Sequence, residues 1–190
     1  MYAEDIELGF DPTIKAVKAT DGVAQYEITV RDEAGGERIY RTTKVLSASG
    51  DNYLIGRATR VWEAVEIVDG VEVGDPVALK DCWVDSDRDR EGYIIAQIRA
   101  SPLSEKDQKD LNRVLITVPI HGDVLAEGIQ DRTRPFPDIA PAPKRKTDKY
   151  QIHYRIVYLE VGIPLSSVTL LSDVYKALGD ACVEIGRAHV

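Results

Sequence analysis

The chain has 190 residues, 44% of them hydrophobic and 29% charged, with a formal net charge of −8 at pH 7. That is enough apolar sequence for one well-cored domain, and the acidic balance excludes broad binding to nucleic acid or acidic membrane, whose phosphates would be repelled. No apolar run approaches the length that spans a bilayer, and the start lacks a basic stretch leading into an apolar core, so an intracellular protein, in cytoplasm or nucleus, is expected, with no nucleic-acid or membrane partner.

Residues 1–24, with Glu4, Asp5, Glu7, Asp11, Pro12 and Asp21-Gly22, read as an irregular lead-in ending in a turn. From Gln25 the period changes to two: Tyr26, Ile28 and Val30 alternate with Glu27 and Thr29, the mark of a half-buried strand. Asp32 to Glu37, with Gly35-Gly36 inside, predicts a hairpin turn closed by a strand over Arg38–Val45. Ser47 to Asn52 reads as loop. Strands are then predicted over Tyr53–Gly56, Val61–Val68 and Val77–Lys80, separated by turns at Asp69-Gly70 and Gly74-Asp75-Pro76. A helix is predicted from near Asp87, carrying Ile94, Ile95 and Ile98, and after a polar segment another strand over Val114–Pro119, with Val124–Ala126 continuing it. Residues 130–149 hold Pro135, Pro137, Pro141 and Pro143 before Lys144-Arg145-Lys146, which predicts an extended solvated loop; the basic triplet also fits a nuclear address. Tyr150–Val161 is the strongest strand of the second half, and Leu171, Val174, Tyr175, Leu178, Ala181, Cys182 and Ile185 recur at helical spacing. The sum is an α+β architecture, an antiparallel sheet with one helix packed on it and a further helix at the end. Cys82 and Cys182, a hundred residues apart and without His or Asp at ligand spacing, are expected as reduced thiols, and no metal site is expected.

The chemistry-bearing pair is Lys80 and Glu91. Lys80 ends the apolar run Val77-Ala78-Leu79, and Glu91 stands three, four and seven residues before Ile94, Ile95 and Ile98, so it shares their stripe and should point at the sheet. A carboxylate on such a face is costly unless a cation meets it, and Lys80 is the candidate. Read alone, the two also fit a strand-end lysine reaching solvent and a glutamate belonging to the charged cluster Asp87–Glu91. Upstream, Gly56-Arg57-Ala58-Thr59-Arg60-Val61-Trp62 lies between two strands, where a glycine lets backbone approach phosphate oxygens.

These strings, in this order, resemble the fungal-type protein kinase family. The resemblance rests on Gly56 to Trp62, Leu79-Lys80-Asp81-Cys82-Trp83, Arg90-Glu91, His153-Tyr154-Arg155-Ile156-Val157 and Glu160-Val161-Gly162-Ile163-Pro164-Leu165, with Leu8-Gly9-Phe10-Asp11-Pro12-Thr13 similar to that family's N-terminal extension. It implies a kinase N-terminal lobe over residues 25–162 after the extension 1–24, a hinge, and the first helix of a second lobe over 163–183. It also implies ATP as ligand. Gly56, Arg57, Ala58, Thr59 and Val61 would cover the phosphates, Ala78 would pack on the adenine, and Lys80 would contact the phosphates with Glu91 behind it. Leu159, Glu160, Val161 and Gly162 would be the hinge whose backbone pairs with the adenine edge. His153 and Arg155 fit the family pattern without a chemical role, and a structural histidine is expected.

Two departures stand out. Ala58 occupies the place of the second phosphate-loop glycine, and the third glycine is absent. The residues that accept the substrate proton and hold magnesium, in His-Arg-Asp and Asp-Phe-Gly strings, are also missing; the look-alike His121-Gly122-Asp123 precedes the hinge, as do Asn52 and Asn112. Residues 184–190 read as the translation of a sequencing adaptor, a non-native tail. The expectation is therefore the ATP-binding lobe of a Ser/Thr protein kinase, cut before its catalytic loop and unable alone to transfer phosphate, with Mg2+ and the protein substrate engaged only by a full-length form. The alternative is a pseudokinase-like interaction module that uses the fold without catalysis.

Overall fold

The computed structural model describes residues 11–17, 24–49, 58–126, 128–133, 150–163 and 167–187. Strand β1 (Ile14–Val17) precedes β2 (Gln25–Arg31) and β3 (Glu37–Ser49), then β4 (Thr59–Val68) and β5 (Val71–Asp85). Helices α1 (Glu91–Ala100) and α2 (Glu105–Val114) follow, then β6 (Ile120–Asp123), β7 (Leu125–Ala126), β8 (Ile129–Gln130), β9 (Gln151–Tyr158) and α3 (Leu171–Arg187). Seven strands make one antiparallel sheet in the order β1-β2-β3-β4-β5-β9-β6, and β7 with β8 forms a small separate hairpin. The protein is α+β, as its patterning implies.

Local chemistry accounts for the turns. The β2–β3 turn closes as the Gly36 N–H donates to the Asp32 carboxylate at 2.7 Å, with Gly35 at φ +88°. Asp69 and Gly70, both at positive φ, supply the two-residue turn whose twist matches the β4–β5 hairpin.

The sheet is strongly curled. Gly122 of β6 comes so close to β2 that an added Cβ would meet the Arg31 carbonyl oxygen at 2.0 Å. The curl gives the sheet an inner face, where Ile28, Val30, Trp62, Leu79, Ile120 and Val157 form the main core, and an outer face. On the outer face Ala78, Cys82, Tyr154, Ile156 and Tyr158 pack with Ile95 of α1. Period two along β5 therefore sends Leu79 and Asp81 inward and Ala78, Lys80 and Cys82 outward.

Several predicted elements differ from those observed. The lead-in contains a paired strand, β1, in register with β2 from Ile14↔Ile28 to Val17↔Gln25. Gly74-Asp75-Pro76 is not a turn but lies within β5, where Gly74 at φ +75° sits beside a register shift between Ala64 and Glu66; a bulge absorbs the turn-forming residues. The helix starts at Glu91 rather than near Asp87, because the Arg88 N–H closes a turn on the Asp85 carbonyl. The predicted strand Val114–Pro119 is instead the end of α2 followed by an irregular stretch, with β6 beginning at Ile120 after a proline that has no N–H to donate. The predicted strand Tyr53–Gly56 and most of the loop 130–149 lie outside the described residues.

Candidate functional site

The outer face carries the predicted pair. Lys80 Nζ lies 2.5 Å from Glu91 Oε2, joining β5 to the first residue of α1. The pair is not buried as its patterning suggests: the Lys80 side chain is 27% exposed and that of Glu91 45%. Only Ile95 of the three isoleucines is buried, against the outer face of β5 and β9, while Ile94 lines a cavity beside the pair and Ile98 is exposed. The Tyr158 side chain also interacts with the Glu91 carboxylate. Partial burial would raise the Glu91 pKa, but the bonds from Lys80 and Tyr158 and the ammonium charge outweigh it and hold the carboxyl below its ordinary value.

The residue next to Lys80 is held from the other side. Asp81 is 1% exposed on the inner face. Its Oδ1 faces His153 Nε2 at 2.7 Å and receives Arg155 Nε at 2.8 Å, while Oδ2 receives Arg60 Nη2 at 2.8 Å. Burial would raise the Asp81 pKa; the bond and charge of His153, with the charges of Arg155 and Arg60, hold it far below the ordinary carboxylate value. Arg155 further donates to Thr13, to the Thr29 carbonyl at 2.9 Å and to Asp11. His153 Nδ1 lies 2.9 Å from Asp131 Oδ2, and the ring stacks on Trp83 with centroids 4.7 Å apart. A neutral imidazole has one N–H, yet both ring nitrogens face carboxylates, so the cluster calls for the imidazolium. Burial lowers the His153 pKa, and the bonds to Asp131 and Asp81 overcome that and raise it. His153 and Arg155 are thus the structural ballast of the strand bearing Lys80.

Beside the pair opens a cavity of about 530 Å³ lined by Thr59, Lys80, Cys82, Glu91, Ile94 and Tyr154. A space of that size admits part of a small ligand, with one ammonium to receive an anionic group and a carboxylate to fix that ammonium. Of the predicted phosphate-covering residues, Gly56 and Arg57 lie outside the described residues. Ala58 enters β4 at φ +40°, Thr59 reaches the cavity, and Val61 stands opposite Lys80 in register. Ala78 is buried opposite Tyr158. The predicted hinge follows β9, and its Val161 packs against the outer-face cluster that contains Ala78, Cys82 and Tyr154. Its Leu159 N–H donates to the Thr117 carbonyl at 3.0 Å, and the Glu160 carboxylate accepts the Thr117 N–H at 2.8 Å. Among the described residues no backbone hydrogen bond engages Glu160, Val161 or Gly162.

The look-alike His121 and Asp123 hold α1 in place. Arg90 donates to Asp123 through Nε at 2.7 Å and Nη2 at 3.2 Å, and His121 packs under Gly92. Sequence reasoning missed Tyr158, Tyr154 and the Arg90–Asp123 pair. Period two along β9 does place Tyr154 and Tyr158 on the Lys80 face, and Arg90 is the immediate neighbour of Glu91.

Comparison with known proteins agrees with this geometry on the family. Residues 1–105, which carry Lys80 and Glu91, match the family model described as fungal protein kinase; β6, β9 and the predicted hinge lie beyond the matched residues. Neither curated proteins nor solved structures gave a match. With more than half of its length matched, the chain belongs to the fungal protein kinase family.

Proposed function

We propose that this chain is the ATP-holding lobe of a fungal protein kinase acting on Ser/Thr hydroxyls, in which Lys80 contacts the nucleotide phosphates and Glu91 fixes the lysine. The observation that carries the reading is the 2.5 Å contact between Lys80 Nζ and Glu91 Oε2, strand to helix, opening on a cavity. A lysine so held is oriented toward phosphate oxygens without the entropy of a free side chain. Ala78, on the same face of β5 as Lys80, would pack on the base, and the Glu160–Gly162 backbone would pair with its edge. The Gly56–Val61 segment would close over the phosphates. Magnesium would arrive with the nucleotide and be held, together with the proton-accepting group, by residues of a second lobe, so phosphate transfer belongs to the full-length protein.

Calorimetric titration with Mg–ATP tests this. Saturable one-to-one binding is expected, weakened about tenfold or more by Lys80→Met, the loss of one charged hydrogen bond to phosphate. Absence of binding in the folded chain, or equal binding by Lys80→Met, would overturn the reading. A second reading, an interaction module without nucleotide, is favoured by Ala58 at φ +40°, where a Cβ stands in a left-handed conformation that a phosphate loop gives to glycine. A folded chain that ignores ATP is its signature.

A further inference from the structure

We infer that α1 is a fixed helix, clamped at both ends in the Lys80-facing position, and that Arg90, Asp123 and Arg99 are the positioning residues that place Glu91. The inference rests on the kinase reading for its meaning but not for its test. Where a lysine–glutamate pair sets kinase geometry, the position of the helix decides whether the pair forms. Here the pair cannot be what holds the helix. It is half exposed, and pairs of that kind contribute little.

The holding contacts lie beside it. Arg90, whose side chain is 11% exposed, makes two parallel bonds to Asp123 of β6, the fork-on-carboxylate geometry that fixes direction as well as distance. Two residues on, the Gly92 N–H donates to the buried Tyr154 hydroxyl at 3.0 Å, and Gly92 lies so close to His121 that a Cβ would meet its ring at 2.1 Å. Glu91 therefore sits between two anchored neighbours.

The far end is tied as well. Arg99 donates to the carbonyls of Leu115 at 2.9 Å and Ile116 at 3.0 Å and to the Asn112 side chain at 3.2 Å. That same stretch, through Thr117, bonds to Leu159 and Glu160. The helix is thus linked to β6 at one end and to the segment after β9 at the other, which leaves no free end about which to swing.

Hydrogen exchange on the whole chain, read separately for α1 and β9, tests the clamp, together with the carboxyl titration of Glu91 by carbon-13 NMR. Arg90→Lys and Asp123→Asn should each speed α1 exchange about tenfold or more, the loss of a charge-assisted bond, while β9 stays within about twofold. Both should return the Glu91 titration toward that of an ordinary carboxyl, a readout that general weakening of the sheet would not move. Lys80→Met should move the Glu91 titration but leave α1 exchange within about twofold. The inference is overturned if Lys80→Met frees α1 as much as the Arg90 and Asp123 substitutions do, or if both of those leave α1 unchanged. Equal loosening of α1 and β9 by both substitutions would also overturn it. No nucleotide enters either readout, so failure of Mg–ATP to bind would count against the kinase site and leave the clamp standing.

Discussion

Lys80 and Asp81 are adjacent and do opposite work, one turned to the cavity and the other sealed in the inner core by Arg60, His153 and Arg155. The sealed cluster makes stability depend on pH, and its direction follows from which form each group favours. His153 faces Asp81 and Trp83 from β5, Arg155 from β9, Asp131 from the segment after β8, and Asp11 from the segment before β1 at 3.8 Å. Its folded pKa lies above the ordinary 6.5, so its contribution is complete below that value and is lost as pH rises through the folded pKa. Asp81 and Asp11 are depressed below 3.8, so their contributions are present above it and fade as pH falls. His121, lowered by burial, works against His153. Urea midpoints measured from about pH 5.5 to about pH 8.5 should fall with rising pH in the native chain more steeply than in His153→Gln, since that window contains the ordinary and raised histidine pKa values. An equal slope in the two would show that His153 is not charged in the fold. The sequence does not show this cluster, because Asp11, Asp81, Asp131 and Arg155 are scattered along the chain and only the curl of the sheet gathers them. The Lys80–Glu91 pair was readable because Lys80 ends an apolar strand and Glu91 opens the next helix, although the expected buried stripe of that helix reduces to Ile95.

At the scale of elements, what was readable is what has an apolar stripe. β2, β4, β9 and α3 declare themselves by period, whereas α2, EKDQKDLNRV, has no buried residue and is set by its Ser104 cap accepting the Asp107 N–H at 3.2 Å. Its apolar residues, Leu111 and Val114, fall only in its second half, so no apolar stripe marks its start and the cap does. The same limit hides how closely α1 lies on the sheet. Gly92 and Gly179 are both helical glycines, but a Cβ at Gly92 would collide with the His121 ring at 2.1 Å, while at Gly179 nothing lies within 4 Å. Gly92→Ala should therefore cost about 1–3 kcal/mol through overpacking and loosen the Lys80 contact. Gly179→Ala should add about 0.5–1 kcal/mol by helix propensity. Chemical denaturation of both variants checks the pair of signs, and a stabilising Gly92→Ala would show that α1 stands off the sheet.

For the molecule as a whole, the curled sheet separates what keeps it folded from what it presents. Arg155, 1% exposed, bonds to Thr13 and Asp11 before β1, to the Thr29 carbonyl of β2 and to Asp81 of β5, so one side chain ties the first described residues to the centre of the sheet. Removing it leaves the part-buried Asp11 carboxylate with only the more distant His153 at 3.8 Å as its cation, and the buried Asp81 with two partners instead of three. Breaking a buried ion pair from one side costs about 3–5 kcal/mol, because the remaining charge keeps its desolvation penalty. Lys80 stands on the outer face at a cavity mouth, where the loss of a half-exposed pair costs about 0–1 kcal/mol. Urea unfolding of Arg155→Met and Lys80→Met should therefore show a large fall in midpoint for the first and almost none for the second, with both transitions remaining cooperative. Binding should show the reverse order, Lys80→Met losing Mg–ATP while Arg155→Met, at a temperature where it is still folded, retains it. A lysine substitution as destabilising as the arginine one would mean that the outer face is part of the fold's support, and the division between core and site would not hold.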